Sequence, residues 1–273
     1  MQAGRDFKIF IGLLAHRLAE EAGALLLGLR TEQALGDPKA LKDLGDTRSH
    51  DFLVAELARH RPLDAVLSEE GVADPARLNA GRVWIVDPLD GTREFSEAGR
   101  EDWAVHVALW ADGRLVAGAV ALPAQGVTLS TASTASTAST ASTASTPPAA
   151  AQDLGILGSR SRPPAFLRKV ADWVGAELVG MGSAGAKTAA VIRGRARAYI
   201  HAGGQYEWDS AAPAAVALAA GLHVSRLDGT PLLYNQADPY LPDLLVCQAA
   251  DAPALLAAVL LKARDAQEGQ AAQ

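Results

Sequence analysis

The chain has 273 residues, 49% of them hydrophobic and 21% charged, which is enough for one large or two moderate domains with a real core. No run of about 18 apolar residues is present to span a membrane, and the formal charge of −6 argues against a binder of nucleic-acid polymers while leaving room for a small anion held through a local cation. The lone cysteine, Cys247, lies in the apolar run Leu244-Leu245-Val246 and reads as a small core residue, and the first six residues lack a secretory pattern, so a reducing cytoplasm is the expected setting.

In chain order, apolar residues Ile11, Leu14, Leu18, Ala22, Leu25 and Leu29 recur at spacings of three and four and predict an amphipathic helix from about Phe7 to Arg30. A loop through Gly36-Asp37-Pro38 and Gly45 follows, then a helix over Thr47–Arg59 with Asp46 as its N-cap. Ala65–Ser68 is a short strand ending in Glu69-Glu70-Gly71. Val83–Val86 is a buried strand that Pro88 ends for want of an N–H, and Asp90 is placed to cap a helix opened by Gly91-Thr92. Trp103–Trp110 and Arg114–Leu122 form a hairpin around Asp112-Gly113, which argues against a purely parallel sheet. His106 on that hairpin reads as a packed structural residue.

The Ser-Thr-Ala repeat from Ser130 to Thr146, with Pro147-Pro148 behind it, has no large apolar side chain to offset the entropy of ordering. It predicts a flexible linker over 130–151 between an α+β half (1–129) and an α/β half (152–273). In the second half the expected elements are a strand at 154–158, a helix from Pro163-Pro164 to Val174, a strand at Leu178-Val179 and a helix over Ser183–Ile192. A strand at Ala198–His201, an alanine-rich helix over Ala211–Ala220, a strand at Leu244–Cys247 and a terminal helix at Pro253–Ala263 complete it.

Acidic residues stand at strand ends or helix starts three times: Glu69-Glu70, Asp87 with Asp90, and Asp209. Carboxylates are hard donors that suit magnesium, and the chain offers no Cys or His pair at zinc-ligand spacing. Carboxylates three residues apart on a strand-to-helix turn can share a divalent cation, and amides opening the helix can take a phosphate oxygen beside it.

Asp87-Pro88-Leu89-Asp90-Gly91-Thr92 behind an apolar strand resembles the signature of the lithium-sensitive, magnesium-dependent phosphomonoesterases. That superfamily includes inositol monophosphatase, fructose bisphosphatase and the 3'(2'),5'-bisphosphate nucleotidases. The resemblance implies a layered α-β-α-β-α fold and two or three magnesium ions between the halves. Glu70 would ligate the first metal, Asp87 would bridge two, the Leu89 carbonyl would complete the first site, and Asp90 and Asp209 would hold the second. Thr92 would orient the attacking water with Asp46, Asp43 being the alternative, and Glu69 would support the metal-binding glutamate. Amides at Gly91 and Thr92 would receive the phosphate.

Within the superfamily, Arg93-Glu94-Phe95 resembles the Lys-Glu-Phe ending of the nucleotidases, and Ser159-Arg160-Ser161-Arg162 their Ser-Arg-Ser-His, with Arg162 in place of histidine. Gly182-Ser183-Ala184-Gly185-Ala186-Lys187 is similar to their Gly-Ser-Ser-Leu-Lys with one residue more. The implied substrate contacts are Ser159, Arg160, Ser183, Lys187, His201 (where nucleotidases carry an arginine) and Glu207. The implied reaction removes the 3'-phosphate of 3'-phosphoadenosine 5'-phosphate, leaving AMP and recycling a by-product of sulfate assimilation. An inositol 1-phosphate or fructose 1,6-bisphosphate phosphatase is the alternative. A non-catalytic relative would have lost Thr92 or a metal-binding aspartate, and neither is lost. The partner expected is a small phosphate ester, and a homodimer is open because relatives are often dimers.

Overall fold

The computed structural model describes residues 2–32, 36–133 and 154–271. Helix α1 (Gln2–Glu32) buries Ile11, Leu14, Leu18, Ala22 and Leu26. Helix α2 (Pro38–His60) starts nine residues before the position expected from sequence. Asp37 is its N-cap, accepting from Lys39 N at 3.0 Å, and Pro38 fills the first turn, where a missing N–H costs nothing. Gly45 is therefore no breaker but a close-approach point inside α2: a Cβ there would stand 2.9 Å from Phe95 and 3.0 Å from Leu89. Asp46 is a mid-helix residue, not a cap.

The first sheet has the order β1 (Ala65–Ser68), β2 (Arg82–Asp90), β3 (Ala104–Ala111), β4 (Arg114–Leu122), β5 (Val127–Ser130), with β1 parallel to β2 and the rest antiparallel. The β3–β4 hairpin turns through Asp112 at φ 50° and Gly113 at φ 79°, the doubly left-handed turn that matches strand twist. Strand β2 does not stop before Pro88. It runs on to Asp90 through an irregularity in which Asp87 faces His106 and Asp90 faces Ala104. Proline is tolerated at such a bulge, where the ladder is already broken. Helix α3 (Thr92–Ser96) follows, with Gly91 at φ 87° as its N-cap and no capping side chain, so Asp90 does not cap it. Ser130, the first residue of the expected linker, is the buried end of β5, and its N–H donates to Ser133 Oγ at 3.0 Å. Residues 134–151 of that linker lie outside the described residues.

The second sheet has the order β7 (Leu178–Met181), β6 (Ile156–Ser159), β8 (Ala198–Tyr206), β10 (Tyr240–Cys247), β9 (His223–Ser225). Strands β6, β7 and β8 are parallel, whereas β10 pairs antiparallel with both β8 and β9, so this half is mixed and not purely α/β. Strands β5 and β9 were not expected; each is short and carries too little alternation to stand out from a loop. The helices of this half are α4 (Ala165–Trp173), α5 (Ala184–Ile192), α6 (Glu207–Ala219) and α7 (Ala252–Ala271).

Apolar contacts show the layering. Helices α1 and α2 pack on the outer face of the first sheet through Leu18, Leu53, Trp84 and Val107. Helices α5 and α6 lie between the sheets, meeting the first through Ala189, Ala212, Ile85 and Val120 and the second through Val191, Ala217, Tyr199 and Val246. Helices α4 and α7 cover the far face through Leu167, Val170, Ile200 and Leu255. The alanines of α6 matter here: a Cβ on Gly118 of β4 would come 2.7 Å from Ala215, so small residues on both sides let the middle layer sit close. This is the expected α-β-α-β-α stack. Among the described residues no helix is long and apolar enough to cross a membrane.

Candidate active site

The ends of β2 and β8 meet over the start of α5, and the acids of both halves converge there. One oxygen from each of Asp87, Asp90 and Asp209 lies within 4.8 Å of the other two. Local structure fixes each in turn. Asp87 Oδ1 accepts from Leu89 N at 3.0 Å inside the β2 irregularity, and Ser49 of α2 donates to the Pro88 carbonyl at 2.7 Å, pinning the same bend. Asp90 Oδ2 accepts from Ser183 Oγ at 2.5 Å and from Gly185 N at 2.7 Å, which makes it an anchor for the first turn of α5. Asp209 is the third residue of α6, and its Oδ2 accepts from Tyr206 N at 2.6 Å. The helix thus starts four residues earlier than the alanine run implies, with Asp209 inside it.

Electrostatics separate these acids. Burial, then the charges of Glu69, Asp90 and Asp209, push Asp87 well above the usual carboxylate range. Asp209 rises to about 6, through burial and the nearby Asp90. Asp90 goes the other way: burial would raise it, but His106, Lys187 and the Ser183 hydroxyl together bring it down to about 2. Two buried carboxylates, Asp87 and Asp90, with the half-buried Asp209 against them and so little compensating positive charge, are poorly satisfied by protein alone. An all-oxygen set at this spacing suits a hard divalent cation, which supplies the missing charge.

The acidic pair behind β1 divides contrary to expectation. Glu69, although its side chain is exposed, lies against Asp87, and its carboxyl rises to about 7 through desolvation and the charge of Asp209. Glu70 instead acts on Asp46, which rises to about 7 through burial first and Glu70 second. Glu69 is therefore the member that joins the aspartates, and Glu70 lies toward Asp46. Asp43 is exposed and paired with Lys39 at 2.7 Å, which disfavours it as the water-orienting acid. The Thr92 hydroxyl donates to the Leu89 carbonyl at 3.2 Å.

His106 was read from sequence as a structural residue, and the fold places it in the site. Fully buried, it donates from Nδ1 to the carbonyl of Trp208 at 3.1 Å and holds Nε2 3.1 Å from Asp90 Oδ2. Burial lowers its basicity, but Asp90 outweighs this and raises it. The ring thus ties Asp90 to the residue preceding Asp209. Only the cross-strand register, which puts residue 106 opposite 87, carries this signal. Gly185 packs directly on the ring: a Cβ there would stand 2.1 Å from His106 Nε2. A Gly185→Ala chain is expected to lose about 1–3 kcal/mol of stability by overpacking, read as a lower denaturant midpoint, together with activity as the Gly185 N bond to Asp90 is displaced.

The expected substrate residues fare unevenly. A cleft of about 480 Å³ is lined by Arg93, Ser159, Arg160, Arg162, Ser183 and Lys187, among others, so these side chains are brought together. Lys187 is buried, donates to the carbonyls of Met181 (3.3 Å) and Gly182 (3.1 Å), and lies 4.9 Å above the Tyr199 ring. Burial lowers its pKa. Ser159 Oγ accepts from Arg162 N at 3.2 Å. Three residues are committed elsewhere. Arg160 is bound by Glu94 and Glu97. His201 Nε2 donates to the Gly204 carbonyl at 2.8 Å. Glu207 is buried, and its two oxygens accept from Asn235 N (2.6 Å) and Gln236 N (2.7 Å). Arg77 holds the same loop through Asn235 Oδ1 and the Gln236 carbonyl, each at 2.6 Å. Glu207 is thus an internal loop anchor, with both carboxylate oxygens engaged by the backbone of 235–236, which disfavours it as a substrate contact.

Comparison with known proteins agrees with this architecture. The model of the inositol monophosphatase family matches residues 14–265. The chain is 52% identical over 255 residues to a protein of Mycobacterium leprae named 3'-phosphoadenosine 5'-phosphate phosphatase, covering 90% of this chain and 92% of that one. It is 32% identical over 201 residues to the 3'(2'),5'-bisphosphate nucleotidase CysQ of Escherichia coli, covering 72% and 80%. The crystal structure of CysQ from Bacteroides thetaiotaomicron superposes with a TM-score of 0.69 at 28% identity, covering 87% of this chain and 96% of that one. With the family model matching residues 14–265, from within α1 to within α7, the chain belongs to the inositol monophosphatase family.

Proposed function

We propose that this chain is a magnesium-dependent 3'-phosphoadenosine 5'-phosphate phosphatase releasing AMP and phosphate. The observation that carries the reaction class is the meeting of Asp87, Asp90 and Asp209, contributed by both halves of the chain, at one point beside Thr92. The 52% identity, over nearly the full length, to a mycobacterial relative of that name supports the substrate. We assign the metal-facing role to Glu69, Asp87, Asp90, Asp209 and the Leu89 carbonyl, and the supporting role to Glu70, exchanging the two glutamates relative to the sequence reading. Bound magnesium would neutralise the phosphate charge and lower the pKa of a bound water.

The remaining work falls to the protein. Thr92 Oγ1, donating to the Leu89 carbonyl, keeps lone pairs with which to hold a water in line with the phosphorus. Asp46, raised to about 7, is matched to accept that water's proton near neutral pH. Amides of Gly91 and Thr92 receive phosphate oxygens. Arg93, Arg162 and Lys187 make the neighbouring cleft cationic, which suits the second phosphate of a bisphosphate substrate. The division into a half over 1–129, a linker over 130–151 and a half over 152–273 belongs to the same proposal, its first boundary moved past Ser130 by β5. So does a cytoplasmic setting, which fits the buried thiol of Cys247.

The test is phosphate release from 3'-phosphoadenosine 5'-phosphate, inositol 1-phosphate and fructose 1,6-bisphosphate under one set of conditions. We expect kcat/KM to favour the nucleotide by at least about tenfold, the equivalent of about 1.4 kcal/mol of transition-state binding. A preference of that size for inositol phosphate would reverse the substrate assignment while leaving the reaction class intact.

A further inference from the structure

Arg160 stands in the cleft where substrate is placed, yet its guanidinium is already engaged by the other half of the molecule. Nε and Nη2 donate to Glu94 Oε1 at 3.0 and 2.7 Å, and Nη1 and Nη2 donate to Glu97 Oε2 and Oε1 at 3.1 and 2.9 Å. One cation between two carboxylates has no charge to spare for a phosphate, so the cationic character of the cleft rests on Arg93, Arg162 and Lys187. The planar guanidinium spans both acids as a lysine could not.

The object being held is α3, which opens with Thr92. At five residues, with no side-chain cap, α3 is too short to hold itself. On one side Phe95 packs edge-on against Trp103, with ring centres 5.0 Å apart. On the other, Arg160 from the end of β6 clasps Glu94 within the helix and Glu97 just beyond it. Glu94 lies so close to Gly182 that a Cβ there would meet its carboxyl carbon at 2.3 Å. Gly182 N donates in turn to Asp102 Oδ2 at 2.7 Å, and Asp102 is paired with Arg100. Backbone and side chain from the ends of β6 and β7 therefore grip α3 and the segment behind it. Those strands belong to the half that also carries Asp209, whereas Thr92, Asp87 and Asp90 belong to the other.

We propose that Arg160 is a positioning residue: by clamping Glu94 and Glu97 it holds Thr92 in register with Asp209, and it does not bind substrate phosphate. This rests on the phosphatase reading of the site. The test is a cycle of Arg160→Gln, Glu94→Gln with Glu97→Gln, and all three together, with steady-state kinetics and hydrogen–deuterium exchange over residues 92–97.

Arg160→Gln should lower kcat by about ten- to a hundredfold, the scale of a small misplacement of a reacting group. KM should change little, and exchange across 92–97 should quicken. Arg160→Lys should recover part of both. Adding Arg160→Gln to the double glutamine background should cost nothing more, because the partners are already gone. A raised KM with kcat kept, a loss that persists in the glutamine background, or unchanged exchange would each overturn the clamp. If circular dichroism shows Arg160→Gln unfolded, Arg160→Lys and single Glu97→Gln are compared in the same cycle. Turnover by the parent chain is measured first. A parent inert on phosphate esters defeats the phosphatase reading, whereas the exchange data judge the clamp by themselves.

Discussion

Asp90→Asn should leave a folded protein that has lost about a hundred- to a thousandfold of its turnover, the cost of removing one strong electrostatic group from a transition state. Asparagine has the same shape, and its oxygen can still accept from Gly185 N and Ser183 Oγ, so the start of α5 keeps its anchor. What disappears is the negative charge, together with the ion pair to His106 at 3.1 Å. The structural cost should stay within about 1–3 kcal/mol, the penalty for one imperfectly matched buried polar group. The measurement is kcat on 3'-phosphoadenosine 5'-phosphate beside a thermal melt. Activity within tenfold of the parent, in a protein that melts normally, would remove Asp90 from the centre. Asp46→Asn and Asp43→Asn make an internal comparison in the same assay. The first should impair turnover and the second should not, since Asp43 is exposed and tied to Lys39.

The second large effect is on stability and appears when the cation is removed. In chelator, Glu69 titrates near 7 and Asp209 near 6 in the folded chain, and Asp87 lies well above its usual range. Unfolded, the same groups titrate near about 4. Folded-state values above the unfolded ones mean that the folded protein holds more protons between these limits. The stability they contribute is then complete below about pH 4 and is lost as pH rises through about 6 to 7. The melting temperature of the chelated protein should accordingly fall between pH 5 and pH 8. Millimolar magnesium should reverse that fall, because a cation that binds only the folded state at a hundred times its Kd adds about 2.7 kcal/mol. Asp209→Ala should blunt both the pH slope and the rescue by magnesium. Should the chelated chain instead melt higher at pH 8 than at pH 5, with magnesium making no difference, the acids would not form a shared cation site.

The reaction class was legible early because its signals are local. The apolar strand Val83–Val86, followed at once by Asp87, Leu89, Asp90 and Thr92, needs only its own neighbours to place acids at the mouth of a sheet. The hairpin at Asp112-Gly113 and the long α1 were likewise readable from turn chemistry and periodicity. Misjudged boundaries have local causes too. Gly45 resembles a breaker in sequence, yet it lies within α2, whose start is set by Asp37 and Pro38, and it is glycine there because Phe95 and Leu89 leave no room for a Cβ. Pro88 resembles a terminator, yet β2 passes it where the ladder with β3 is already irregular.

What sequence alone determined, then, is the family and, through the resemblance carried by Asp87-Pro88-Leu89-Asp90-Gly91-Thr92, the layered fold and the reaction class, because that motif is contiguous and its immediate neighbours place each of its residues. What only the tertiary structure decided is the direction of individual side chains and their partners. It turned Glu69 rather than Glu70 toward Asp87, drew His106 into the centre, tied Arg160 to Glu94 and Glu97, and sank Glu207 under its loop. Adjacent glutamates differ by nothing that composition or periodicity can weigh. They are told apart only when strands from two halves are packed and the buried carboxylate of Asp87 has one of them, Glu69, set against it.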